Sequence, residues 1–189
     1  TTQTLDLEDG VYYRNSISKE GVLRTERFAS RVREKLIAEK IVFNALEEGE
    51  YSFSLGRDVK IHDINGPHFK EKEVRREENL IHFHGVTNEG YDADEFLMID
   101  PERKKENQVR NSLSIFLKKG ECITFHLLCY VFSSFFNEKA NIDEVKEVFS
   151  LSYEELKKEH EKEFSSRFSL GRIEIEGDKK RQLALDYCN

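Results

Sequence analysis

The stretch CITFHLLCYVF, Cys122 to Phe132, decides how the rest of the chain is read. Ile123, Phe125, Leu127, Cys129 and Val131 fall on one side of an extended backbone, and Thr124, His126, Leu128, Tyr130 and Phe132 on the other. Successive side chains of a strand point to opposite faces, so a strand that is largely apolar on both is covered on both. The run is predicted to be a central strand. Leu113 to Leu117 precedes it across Lys118-Lys119-Gly120, a spacing that predicts a hairpin between the two.

Upstream, Val22 to Phe28, Leu36 to Leu46, Leu80 to Thr87 and Glu95 to Ile99 are rich in Val, Ile, Leu and Phe. Tyr51 to Leu55 alternates with period two, as a half-buried strand does. Many short strands with no helical pattern between them predict a mainly β fold, a large antiparallel β-sandwich or a barrel. The charged segments Arg103 to Asn111 and around Arg75-Arg76-Glu77-Glu78 are predicted as loops.

Past Asn137 the period changes. Asn141-Ile142-Asp143-Glu144 places an N-cap Asn three residues before a Glu, and Ser152-Tyr153-Glu154-Glu155 repeats the device, which predicts two helices or a kinked one. Tyr153, Leu156, His160, Phe164 and Phe168 then form one stripe at helical spacing, with Gly171 placed as a C-cap. Ile173 to Glu176 alternates like a strand. Asp178 suits the N-cap of a last helix with Leu183, Leu185 and Tyr187 as its apolar positions.

The chain has 189 residues, 38% of them hydrophobic, with 14 Phe and 7 Tyr, so it can bury a sizeable core and is not wholly disordered. A formal net charge of −7 argues against a general nucleic-acid or anionic-membrane binder. No apolar run approaches the roughly 18 residues of a membrane-spanning helix. Thr1 to Gly10 is too polar and acidic for a signal peptide, and the lack of an initiator Met leaves the true start open. Cys122, Cys129 and Cys188 are odd in number without a CxxC spacing, which suits a reduced, cytoplasmic setting.

Chemistry is sparse. His82 and His84 share one strand face, where two imidazoles can hold a metal ion with a third ligand such as His62 or His68. The competing reading, which the pattern favours, has Ile81 and Phe83 facing the core and the histidines facing solvent. His126 and His160 sit in apolar patterns and read as packed, hydrogen-bonded core histidines. No nucleophile, phosphate cradle or carboxylate pair stands out, so no catalytic or metal residue is assigned.

The C-terminal run HEKEFSSRFSLGRIEIEGDKKRQLALDY, His160 to Tyr187, resembles the linker of glycoside hydrolase family 65, the group of maltose, trehalose and kojibiose phosphorylases and related hydrolases. His160 takes the family's His position, Phe164 and Phe168 stand where Trp is usual, and Ile173 to Asp178 matches its "DIEIEGD" core, followed by Gln182 and Leu185. DGVYYRNS (Asp9 to Ser16) and RTERFASR (Arg24 to Arg31) look like its opening strands, and LGRDVKIHD (Leu55 to Asp63) like a stretch after its third or fourth strand. Arg57, Asp186 and His126 depart from the family's usual Gly, Arg and Lys.

The resemblance implies a β-sandwich over 1–137, a helical linker over 138–171 and, over 172–189, the start of an (α/α)6 catalytic barrel. It further implies a parent enzyme that cleaves α-glucosidic bonds of disaccharides by inverting phosphorolysis or hydrolysis. In that parent a barrel Glu beyond Asn189 is the general acid, and inorganic phosphate is a co-substrate if it is a phosphorylase; no other cofactor is implied. The implied partners are the downstream barrel, the disaccharide and a second copy in a homodimer, with neither nucleic acid nor membrane. Loops such as His62 to Phe69 or Arg103 to Asn111 are the kind that wall such a site. The alternative is a self-contained sandwich that binds carbohydrate or protein.

Overall fold

A computed structural model describes residues 1–56, 69–77, 80–100, 111–171 and 173–188. Among these residues ten strands are formed: β1 (Thr2–Leu5), β2 (Tyr12–Ile17), β3 (Gly21–Ala29), β4 (Leu36–Ala45), β5 (Gly49–Leu55), β6 (Phe69–Glu77), β7 (Leu80–Thr87), β8 (Asp92–Asp100), β9 (Asn111–Leu117) and β10 (Cys122–Ser133). Three α-helices follow: α1 (Ile142–Phe149), α2 (Tyr153–Gly171) and α3 (Lys179–Cys188). Eight strands make one antiparallel sheet in the order β1-β2-β3-β4-β10-β8-β7-β6, and β5 pairs with β9 in a second, smaller sheet.

β10 is central, with Leu128 opposite Ala38 of β4 and Met98 of β8. Each of its faces has its own cover. Leu128, Tyr130 and Phe132 join Val11, Phe28, Leu36, Ala38 and Phe96 beneath Val145, Val148, Tyr153 and Leu156 of the first two helices. On the opposite face Ile123 and Phe125 pack with Ala45 and Leu117, and with Tyr51, Phe53 and Ile115 of the small sheet. A third cluster, Ile81, Phe83, Leu97 and Ile99, continues that second layer under Leu55 and Leu127. The large sheet is thus roofed by helices on one side and by a β-ribbon on the other.

The predicted β9–β10 hairpin does not form. Both edges of β10 are already occupied by β4 and β8, so β9 pairs with β5 instead. Lys118 to Gly120 therefore carries the chain from one sheet to the other. Gly120 takes φ +84°, a left-handed conformation that glycine accepts readily, and its N–H donates to the Ala45 carbonyl at 2.7 Å.

A second correction concerns the charged run around Arg75. It is not a loop but part of β6, the outer strand of the large sheet. Only Phe69 and Val74 in β6 are shielded from solvent. An edge strand dense in charge resists pairing with another chain, so the composition that suggests a loop is the composition an exposed edge requires.

Both predicted caps at the start of the helical region form. Asn141 Oδ1 accepts from the N–H groups of Asp143 and Glu144, and Ser152 and Glu155 exchange hydrogen bonds in a capping box. α2 runs through Gly171, so that glycine is the helix's last residue rather than the C-cap beyond it.

Candidate functional site

The helix roof covers only one end of the large sheet. Where it stops, the same sheet face turns from Phe28, Leu36 and Leu128 to polar side chains. Tyr13, Glu26 and Lys40 form one cross-strand row, and Thr2, Asn15, Arg24 and Val42 the next. These residues line a cleft of about 400 Å3. The beginning of α2 forms its rim: Lys40 Nζ donates to Glu154 at 2.6 Å and lies 3.8 Å from Glu26, and Lys157 reaches Glu26 at 3.2 Å. The ammonium of Lys40 is the main reason the Glu154 carboxyl is held below its ordinary range.

Two side-chain atoms on this sheet face, Asn15 Oδ1 and His126 Nε2, are buried without a hydrogen-bond partner among the described residues. Arg24 is exposed and makes no ion pair among the described residues. Sequence reasoning missed this cleft. The signal was present in β2 and β3, where Tyr13, Asn15, Arg24 and Glu26 occupy positions that continue the core face.

Closer to the roofed end the seam is more tightly bonded. Tyr130 Oη donates to Glu144 at 2.7 Å, and Lys35 bridges Glu144 and Glu138 at 3.2 and 3.4 Å while lying over the Phe132 ring. The Tyr130 hydrogen bond, aided by Lys35, depresses the Glu144 pKa against the opposing effect of burial. Burial pushes the Tyr130 and Tyr153 phenols well above their ordinary range, so both stay protonated donors.

The histidines settle into different environments. His160 is 1% exposed, stacks on Phe28 at 4.7 Å, and bonds the Arg31 N–H through Nδ1 and the Gly10 carbonyl through Nε2. It is the packed, bonded core histidine that the helical stripe predicts. Gly10, at φ +70°, sits so near the Phe164 ring that a Cβ there would lie 2.5 Å from it. His126 stacks on Tyr153 at 5.1 Å, but its Nδ1 lies 3.8 Å from Asp100 and its Nε2 has no partner among the described residues, so it is packed without the expected hydrogen bonds.

His82 and His84 flank a single oxygen, Asp94 Oδ1, at 2.7 and 3.0 Å, and His82 stacks on Phe96. Ile81 and Phe83 are buried, as the favoured reading of this strand requires. Among the described residues no group of three or more His, Cys, Asp or Glu is arranged to hold a metal ion. His62, His68, Arg57 and the loops 62–68 and 103–110 lie outside the described residues.

At the C-terminal end Ile173 to Glu176 forms no strand. Gln182 takes the place of a partner strand: its Nε2 donates to the Ile173 carbonyl at 3.0 Å and its Oε1 accepts from the Ile175 N–H at 2.6 Å. Gly177 turns the chain at φ +81°, and Asp178 Oδ1 caps α3 by accepting from the Arg181 N–H at 3.0 Å. Of the apolar positions predicted for α3, Leu183 and Tyr187 are 63% and 73% exposed and uncovered, while Leu185 is partly buried. No helix among the described residues is long and apolar enough to cross a membrane.

Residues 1–167 match the family model described as "Glycosyl hydrolase family 65, N-terminal domain". Among solved structures, the "Putative kojibiose phosphorylase from human microbiome" superposes with a TM-score of 0.83 at 17% identity, over 98% of this chain and 27% of that one. A family GH92 alpha-mannosidase from Bacteroides thetaiotaomicron gives 0.41 at 9% identity, over 94% of this chain and 24% of that one. No curated protein matches the sequence. This chain spans about a quarter of the length of that kojibiose phosphorylase, and by the family match it belongs to glycosyl hydrolase family 65 as that family's N-terminal domain.

Proposed function

We propose that this chain is the non-catalytic β-sandwich portion of a larger carbohydrate-active enzyme, which cleaves α-glucosidic bonds of disaccharides by inverting phosphorolysis or hydrolysis. The observation that carries the reading is the family match over 1–167, with the sandwich, α1 and all but the last turn of α2 inside the matched span. In this reading the sandwich ends near residue 137, α1 and α2 are the linker, and 172–189 opens the catalytic barrel. The uncovered apolar side of α3 suits that role, since Leu183 and Tyr187 would find their cover on the barrel's neighbouring helices.

The chemistry belongs to the barrel. A carboxylic acid there protonates the leaving glycosidic oxygen while phosphate or water attacks the opposite face of the sugar. The sandwich contributes a rigid platform. Its helix seam, tied by Lys35–Glu144, Lys40–Glu154 and Lys157–Glu26, fixes the direction in which the chain enters the barrel.

The test is an assay of the 189-residue chain with maltose, trehalose and kojibiose in phosphate buffer. No glucose 1-phosphate or free glucose above the blank is expected, whereas the same chain extended through its downstream coding sequence turns over one of them. Turnover by the 189 residues alone would overturn the reading.

A further inference from the structure

Three aromatic side chains stand out of the sandwich at one end. Phe135 and Phe136, in a short 3-10 turn over Ser134–Phe136 that follows β10, are 58% and 70% exposed, and Tyr91, between β7 and β8, is 38% exposed. Rings left in water forfeit the stabilisation that burial gives them, yet the backbone beneath these is pinned in place. The Ser133 hydroxyl accepts from the Phe135 N–H at 3.3 Å, and the Ser134 hydroxyl from the Asp92 N–H at 2.9 Å, which ties the turn to β8. The Asn137 N–H closes the turn onto the Ser134 carbonyl at 3.0 Å, and Asn137 is the one non-glycine among the described residues with a positive φ, +59°. The rings brace each other edge to face, Tyr91 on Phe135 and Phe135 on Phe136, with centroids 5.0 Å apart in both pairs and planes at 89° and 90°. The result is a fixed apolar knob, and contiguous exposed apolar surface marks a contact site. Rings at right angles offer no continuous flat face for a sugar to stack on; they suit an apolar socket in protein.

The position of the knob points to its cover. Register sets Ser133 beside Ala93 of β8 and Tyr130 beside Leu36, the first residue of β4, so the knob shares an end of the sheet with the loop 30–35. Lys35 reaches Glu138, just past the knob, at 3.4 Å. The same loop receives α2: Arg33 pairs with Glu159 at 3.2 Å, and His160 bonds the Arg31 N–H. Farther along α2, Ser165 donates to the Glu8 carbonyl at 2.8 Å. α2 thus carries the chain away at the end of the sandwich that bears the knob. The family match makes these residues an N-terminal domain, and they cover 27% of the kojibiose phosphorylase that superposes on them. We propose that Tyr91, Phe135 and Phe136 are the plug by which the sandwich seats in an apolar socket on the part of the polypeptide that follows residue 189. The inference rests on the reading above, that a catalytic portion follows this chain, and adds the side chains that join the two. With α2 as the first attachment and the plug as a second, the sandwich is held in one orientation.

The experiment is hydroxyl-radical footprinting of the 189-residue chain and of the chain extended through its downstream coding sequence, with oxidation of each ring read by mass spectrometry. Oxidation of Phe135 and Phe136 should fall about fivefold or more in the extended chain, as the water-excluded centre of an interface requires. Phe116, 59% exposed at the opposite end of the sandwich, should be oxidised equally in both. Phe135→Ser with Phe136→Ser in the extended chain should raise Tyr91 oxidation toward its level in the 189-residue chain. The same double variant of the 189-residue chain should keep the amide dispersion of a folded sandwich. Equal oxidation of Phe135 and Phe136 in the two proteins would overturn the proposal. So would protection in the 189-residue chain alone that grows with its concentration, since a second copy would then be the occupant. Turnover of maltose, trehalose or kojibiose by the extended chain is measured alongside. Turnover with an oxidised knob sinks the plug and keeps the catalytic reading, and a protected knob without turnover does the reverse.

Discussion

His160 joins three parts of the chain: α2 that carries it, Phe28 of β3 beneath it, and the Gly10 turn beside it. Burial, the largest influence, lowers its pKa from 6.5 despite the Gly10 carbonyl that favours the charged form. The unfolded chain therefore takes up a proton at higher pH than the folded one. Stability is complete above the unfolded value and declines as pH falls from there toward the folded value. Urea melts should show a lower midpoint at about pH 5 than at about pH 7, and His160→Phe should flatten that difference. Phe132, 1% exposed at the centre of the helix-side core, should cost about 3–5 kcal/mol on replacement by Ala, read from the same melts. The burial of His160 was legible because a helical stripe passes through it. The unbonded Nε2 of His126 was not, since its row mates Lys40 and Asp100 are set by strand register rather than by sequence neighbourhood.

Among the elements, those with a local signal were legible and those defined by a partner were not. β7 and the start of α1 fall where alternation and the Asn141 cap place them. β9 and β10 were each visible, yet their pairing was not, because pairing depends on which edges remain free. Ile173 to Glu176 shows the opposite error: a strand pattern without a neighbouring strand, bonded instead by the side chain of Gln182. Gln182→Ala removes both of those hydrogen bonds. The Ile175 amide should then exchange with deuterium at least several-fold faster, while β10 amides keep their protection. Asn141→Ala removes two bonds to the first turn of α1 and should cost about 1 kcal/mol in a thermal or urea melt. The candidate cleft escaped notice for a related reason. Its polar residues lie on four different strands, and only the register brings them into two rows.

At the scale of the molecule the sandwich is asymmetric, with a broad sheet, a helix roof over one end and a short ribbon beneath. That asymmetry creates both surfaces of interest, the uncovered cleft and the uncovered side of α3. The mainly β class followed from composition and period, and the family from the linker motif. The order β4-β10-β8 has a further consequence for how this protein is made. Ribosomes deliver β1 to β4 and β6 to β8 before β10, so two partial sheets emerge with their inner edges open. They become one sheet when Cys122 to Ser133 leaves the exit tunnel and fills the gap. Until then β4 and β8 would each lack the neighbour that β10 supplies, and an unpaired strand edge is prone to capture by another strand. A transcript cut before Cys122 should thus yield insoluble protein, while one cut after Phe168 should yield a folded sandwich, as solubility and amide dispersion would show.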